Sequence, residues 1–534
     1  MRSFMFVSLM LVLMMGIVMA GGIVTNTNQS AAYMRTLNRN ASTDVDATYF
    51  NPAGLTRLED GLHLSLSNQS IFQTKTITNG YAYLNDGEYV GDVVAPLFPN
   101  FYLAYKTGKL AVSAGFEPIG GGGSANFETG LPSFEMPVSD LVPGLQAQGQ
   151  PVTAYDIDVA FEGSSIYYGA QANISYKIND MISVGVGARY VAASNSYIGH
   201  LKDIAITMGG SSVPAPTFFT GAAAQYSAAA TGATTAATGL TAAVTGGQVL
   251  GTTPLAAMDA DSSLINGLLA FGINPTGYTV DNAIAAYTGA ATSAATSAAQ
   301  MTAKATLLSD QEVDAKQTAS GITPIISVFL TPMEGLDIAF RYEGLTELEL
   351  VNDVAADKQA LVGFDETTGA PIYEFADGAK TRADMPAMVA LGVSYKLSDA
   401  LRTEFGLNYY MNTGVDWAGR EENVDNGYEI GLAVEYSLNE KMKASVGFLN
   451  ADGGAKPDYQ TDLSYSLKSN TIGLGIAYKV SDAMTVNIGG LNTFFQDDSR
   501  DGEHDLGGSG LMVAYTEEYA KTTFGFAFGI DYKF

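Results

Sequence analysis

Few residue types that carry reaction chemistry are present, and they are dispersed. The chain has three histidines, His63, His200 and His504, and no cysteine in 534 residues. No His-Glu-x-x-His or Gly-x-Ser-x-Gly spacing gathers a nucleophile, a base or metal ligands. Lack of cysteine excludes a disulfide scaffold, a cysteine zinc site and a lipid-anchored amino-terminal cysteine. Carboxylates cluster at Asp497, Asp498, Asp501 and Glu503 around Arg500. Calcium takes such oxygens, but a solvated, self-repelling loop is the simpler account. Gly120, Gly121, Gly122 and Gly123 form a glycine run, yet no Lys-Ser/Thr follows to hold a phosphate. These residues read as a protein that is not an enzyme, with no cofactor and no metal.

The remaining chemistry is binding. Lysine and arginine number 27 against 55 acids, a formal charge of −28. That balance argues against nucleic acid, which needs a basic footprint. Charged residues make up only 15% while 47% are apolar, and Gly (59), Tyr (29) and Phe (25) are abundant. Soluble chains carry about 25% charge, so this composition points to strands that face something other than water.

The elements follow from the pattern. Residues 1–20 read as a secretory signal: Arg2, an apolar run from Phe4 to Val18, then Val18 and Ala20 before Gly21. No later stretch has 18 consecutive apolar residues, which excludes a helical membrane span. Period-2 alternation dominates instead. Phe524, Phe526, Phe528, Ile530, Tyr532 and Phe534 alternate with Gly525, Ala527, Gly529, Asp531 and Lys533. About fourteen such segments recur, near 62–77, 99–106, 109–119, 154–178, 181–202, 319–331, 335–350, 385–397, 400–416, 426–438, 441–450, 463–480, 483–496 and 514–534. Tight and long connections alternate between them. The fold class is therefore all-β, a transmembrane antiparallel barrel. One stretch, 203–318, is rich in Ala and Thr and reads as an extracellular loop insertion, with helix over 281–308. Alternation turns Arg189, Arg341, Arg402 and Lys443 inward, with Glu343, Glu404, Glu429 and Glu435. A carboxylate ligand needs a cation, ideally the fork of Arg; an Arg–Glu ladder bracing the barrel would use the same residues.

Residues 21–61 do not alternate. They hold Ala41-Ser42-Thr43-Asp44-Val45-Asp46 and then Asn51-Pro52-Ala53-Gly54. Placed between a signal and the first of about fourteen strands, this resembles the FadL/TodX family of outer-membrane hydrophobic-compound transporters. The resemblance implies a barrel, residues 62–534, plugged by an amino-terminal hatch whose signature is Asn51, Pro52, Ala53 and Gly54. It implies passive diffusion of long-chain fatty acids or similar hydrophobic compounds across a bacterial outer membrane. Capture would occur in an extracellular groove, and release would be lateral, at a kink in strand three. The matching residues are Phe116, Glu117, Pro118, Gly120, Gly121, Gly122 and Gly123. Arg189 and Arg341 become candidates for the ligand head group. The expected partners are the apolar ligand, outer-membrane lipid and the barrel-assembly machinery, which would read the strand ending at Phe534. The expected state is a monomer. The alternative is a general porin or an adhesin-like surface barrel.

Overall fold

Strict alternation gives a strand two unlike faces. In the computed structural model, which describes residues 22–259, 262–365 and 367–534, fourteen strands close one antiparallel barrel. The signal expected over residues 1–20 lies outside the described residues. The strands are β1 Gly61–Asn79, β2 Glu88–Thr107, β3 Leu110–Phe127, β4 Val152–Lys177 and β5 Ile182–Met208. They continue with β6 Gln311–Met333, β7 Leu336–Glu343 extended by Glu349–Gln359, and β8 Lys380–Arg382 extended by Met388–Lys396. The last six are β9 Leu401–Tyr410, β10 Gly427–Ser437, β11 Met442–Asp452, β12 Ser469–Lys479, β13 Met484–Phe495 and β14 Met512–Lys533. β14 pairs with β1 from His63–Lys533 to Asn79–Glu517, so the sheet closes on itself.

Outward positions are apolar and uncovered. Phe524, Phe526 and Phe528 are each about half exposed, while Ala527 between them is buried. Leu432 and Val434, Ile472 and Leu474, and Val186 and Tyr190 repeat the pattern. Such a belt in water would drive aggregation. Against lipid it is the outer wall of a barrel. No helix among the described residues is long and apolar enough to cross a membrane.

Residues 22–58 fill the lumen. Ser30 caps α1 (Ala31–Thr36) by accepting the Tyr33 N–H at 2.9 Å, and its hydroxyl donates to Asp46 at 2.9 Å. α2 (Ala47–Phe50) leads into a 3₁₀ turn, Pro52–Arg57. Arg39 is the hub. Its buried guanidinium donates to both Asp46 oxygens at 2.9 Å and to Ser42 Oγ at 2.8 Å. The barrel makes room for this segment with glycine. A Cβ on Gly392 of β8, Gly431 of β10, Gly473 of β12, Gly489 of β13 or Gly529 of β14 would lie 2.6–2.8 Å from atoms of residues 31–41. Gly406 of β9 and Gly447 of β11 sit closer still to Asn38 and Thr36. The high glycine content is thus in part the groove of the plug.

The outer rim is capped. Between β3 and β4 lie α3 (Pro132–Ser139) and α4 (Leu141–Ala147), helices the alternation pattern did not disclose. Asp140 at their junction accepts from Tyr81 Oη at 2.6 Å, His504 Nε2 at 2.7 Å and Gly507 N–H at 2.8 Å, tying three loops together. The insertion is shorter than 203–318, because β5 and β6 stay paired as far as Leu201–Gln311. It contains α5 (Ala215–Thr245), α6 (Leu255–Met258), α7 (Ser263–Ala270) and α8 (Val280–Leu307). α8 buries Ala283, Tyr287, Ala290, Ala294, Ala298, Met301 and Ala305, a 4-3-4-4-3-4 spacing that gives one continuous face. Its threonines satisfy themselves: Thr288, Thr292, Thr296, Thr302 and Thr306 each donate to the carbonyl four residues back. The run around Asp498–Asp505 is also ordered, as a short strand on the outer part of β14 rather than a repulsive loop.

Candidate functional site

The site begins at β3. Pro118 has no N–H for the ladder, and the β3–β4 register slips between Pro118 and Gly120 and again between Gly121 and Gly123. Gly121 and Gly123 have φ of +90° and +83°, which favour glycine. β2 and β3 pair at Val93–Ala125 and again at Phe101–Phe116, and not between. β2 is itself distorted there. Its pairing with β1 slips across Pro96 and Leu97, and Leu97 is 74% exposed. The wall is therefore unzipped across 94–100 of β2 and 117–124 of β3.

The freed inner edge of β3 is partly taken by the amino-terminal segment. Asn26 N–H donates to Ile119 O at 3.0 Å, and Gly121 N–H donates to Val24 O at 2.8 Å. Gln29 Nε2 donates to Pro118 O at 2.7 Å. Phe116 faces outward and stacks on Tyr168, while Glu117 and Ile119 turn in and are buried.

A cavity of about 490 Å³ lies on the inner side of this gap. Its floor is Gly22–Asn28, and its walls include Ile71, Phe98, Phe127, Leu131, Phe161 and Leu491. Val93, Ala95, Gly121 and Gly123 line it as well, so the chamber reaches the gap. Its size is in the range of small-molecule cavities. Lys75, Lys521, Glu429 and Asp462 also border it. Burial pushes the Asp462 carboxyl up from its ordinary range.

The two arginines singled out by alternation come together elsewhere. Arg189 of β5 makes a fork on Glu343, both bonds 2.8 Å, and two bonds to Gln171 Oε1 at 2.9 and 2.6 Å. Arg341 of β7 lies 3.3 Å from Glu343 and donates to the Tyr49 carbonyl. The Tyr49 ring is held between them, 4.8 Å from one guanidinium and 4.9 Å from the other. Glu117 approaches Arg189 at 3.6 Å. Arg189 borders a recess of about 20 Å³, room for about one water, and does not line the 490 Å³ chamber. Three further inward bases pair with acids: Arg402 with Glu404 at 2.8 Å, Lys443 with Glu435 at 3.1 Å, and Arg35 with Glu435. Glu429 accepts from Thr27, Asn408 and Tyr410, each at 2.9 Å.

The Asn-Pro-Ala-Gly stretch anchors the plug. Asn51 Nδ2 donates to the carbonyls of Val328 and Phe340, Ala53 N–H donates to Ser327 Oγ, and Ser175 Oγ donates to Pro52 O. These bonds fix residues 51–53 to β4, β6 and β7. The histidines stay apart: His63 meets the Glu59 carbonyl, His200 meets Asp158 and His504 meets Asp140. No group of His, Asp and Glu among the described residues has the arrangement of a metal site.

This geometry can be set beside known structures. A Pseudomonas aeruginosa FadL homologue matches over 96% of this chain and 99% of its own, at 12% identity and a TM-score of 0.57. The chain has the fold of that FadL homologue. The Pseudomonas putida toluene transporter TodX aligns over 92% of the chain and 94% of its own, at 10% identity and a TM-score of 0.48. The Ralstonia pickettii toluene transporter TbuX aligns over the same shares, at 13% identity and 0.46. No family model matches the sequence, and no curated protein does. Sequence reasoning missed three parts of the site: the β2 side of the gap, Tyr49 between the arginines, and the lysines of the cavity. Pro96 and Pro99 were the available signal for the first, since neither supplies a ladder donor.

Proposed function

We propose that this barrel sits in a bacterial outer membrane as a monomer and conducts long-chain fatty acids or similar hydrophobic compounds by passive diffusion. In this reading the ligand is captured at the capped outer rim and held in the 490 Å³ chamber. It leaves sideways between β2 and β3 into lipid. One observation carries the reading: the unzipped stretch between Val93–Ala125 and Phe101–Phe116 coincides with the chamber wall. Lateral release suits an alkyl chain, because passage into water costs about 0.8 kcal/mol per CH₂. A filled lumen speaks against the general porin. The paired arginines support bracing of the plug by Arg189 and Arg341. The strand ending at Phe534 is the natural handle for the assembly machinery.

The test uses vesicles with a lipopolysaccharide outer leaflet, which resists apolar solutes. Inserting the protein should accelerate arrival of labelled oleate in the inner leaflet while ion conductance stays low. Unchanged arrival, or a large steady conductance, would overturn the reading.

A further inference from the structure

We infer that Lys75 and Lys521 build a head-group subsite for an organic anion, on the seam that closes the barrel. The inference rests on the transport reading above and says which apolar solutes the chamber favours. Lys75 of β1 and Lys521 of β14 stand directly opposite each other in the ladder, and both line the chamber. Like charges directly opposite destabilise a sheet. In a chain with 55 acids against 27 bases, a nearby carboxylate would be the ordinary relief.

That relief is missing. Among the described residues, neither ammonium makes an ion pair with a carboxylate. Six other basic groups facing the lumen do have one: Arg35 and Lys443 on Glu435, Arg39 on Asp46, Arg189 and Arg341 on Glu343, and Arg402 on Glu404. The two acids that border the chamber are committed. Glu429 holds three donors, and Asp462 accepts the Ser133 N–H at 2.8 Å. What touches the lysines instead is aromatic. The Lys75 Nζ lies 5.5 Å from the Tyr465 ring centre, and the Lys521 Nζ lies 4.8 Å from that of Phe495. Ring faces steady an ammonium without neutralising it.

Two lysines without a carboxylate partner thus meet at one wall of a chamber whose lining mixes apolar side chains with Thr, Ser, Asn and Gln. Their complement is an apolar body ending in a carboxylate, one oxygen to each ammonium, in charge-assisted bonds. A neutral hydrocarbon would leave the pair unrelieved.

The experiment is calorimetric titration of the folded full chain, in neutral detergent, with laurate and with 1-dodecanol of equal chain length. The parent should bind laurate at least tenfold more tightly. In Lys75→Gln/Lys521→Gln that preference should fall to within twofold. Lys75→Arg/Lys521→Arg should keep it. If the double glutamine variant does not fold, the single substitutions should each lose at least threefold of the preference. A preference that survives removal of the lysines overturns the subsite. Equal binding of both ligands by the parent also overturns it and leaves transport of neutral solutes standing. Binding of neither ligand removes the transport reading and the subsite together.

Discussion

Ala95 of β2 and Gly123 of β3 face each other across the break in the wall: a Cβ on Gly123 would lie 3.3 Å from that of Ala95. Disulfides span Cβ atoms about 3.8 Å apart, and the chain has no cysteine to interfere. Ala95→Cys/Gly123→Cys should therefore staple the gap. Oleate transfer should drop at least fivefold when the pair is oxidised and recover on reduction. The reduced form is the control for strain at Gly123, where φ is +83°. Transfer that is equal in both redox states would exclude this gap as the exit.

The plug is held by shape as much as by hydrogen bonds. A side chain at Gly473 would place its Cβ 2.7 Å from the Met34 carbonyl oxygen, a backbone atom that cannot swing aside. Overpacking of this kind costs about 1–3 kcal/mol. Gly473→Val should displace α1, and single-channel recording should then show openings that the parent lacks. Silent bilayers for a folded Gly473→Val would mean that the plug tolerates the intrusion.

Arg189 separates bracing from ligand binding. Removing it leaves Glu117 and Glu343 buried with Arg341 as the nearest remaining cation. Breaking such a network costs about 3–5 kcal/mol. Arg189→Gln should lower the unfolding free energy of the barrel in vesicles, read from urea titration, by that order. Laurate affinity should stay within threefold, because the recess beside Arg189 holds only about 20 Å³. A tenfold loss of affinity would instead make Arg189 a head-group residue.

The barrel was legible because its two faces differ residue by residue, as in Phe524 to Phe528 against Gly525 and Ala527. Residues 21–61 stand apart in the sequence because they do not alternate, and Asn51, Pro52 and Ala53 are where this segment is bonded to β4, β6 and β7. The gap was half legible. Pro118 and the glycines marked β3, but Pro96 and Pro99 broke the alternation of β2, so that strand read as starting near 99 rather than at Glu88. Lys75 and Lys521 could not be read at all. Each is an ordinary inward position on its own strand, and only the β1–β14 register sets them opposite one another. Helix in the insertion was read over 281–308, close to α8, while α5 was hidden by threonines that usually oppose helix. Their hydroxyls bond to the carbonyl one turn back, as Thr231 does to Ser227, and so stop competing with it.

Docking of the α5–α8 hairpin should depend on pH through Lys304. It is buried at the base of α8 above the Phe219 ring, 5.8 Å from its centre, and its ammonium has no hydrogen-bond partner. Burial pushes its pKa down to about 7 from 10.5. Between those values the undocked hairpin binds the proton and the docked one releases it. Docking therefore strengthens as pH rises through this window, by at most about 1.4 kcal/mol per unit. Below about pH 7 both states are charged and the cost is fully present. Thermal loss of the helical signal at 222 nm should come at higher temperature at pH 9 than at pH 6.5. Lys304→Met should raise the pH 6.5 value and abolish the difference. A pH difference that survives in Lys304→Met would assign the effect to another group.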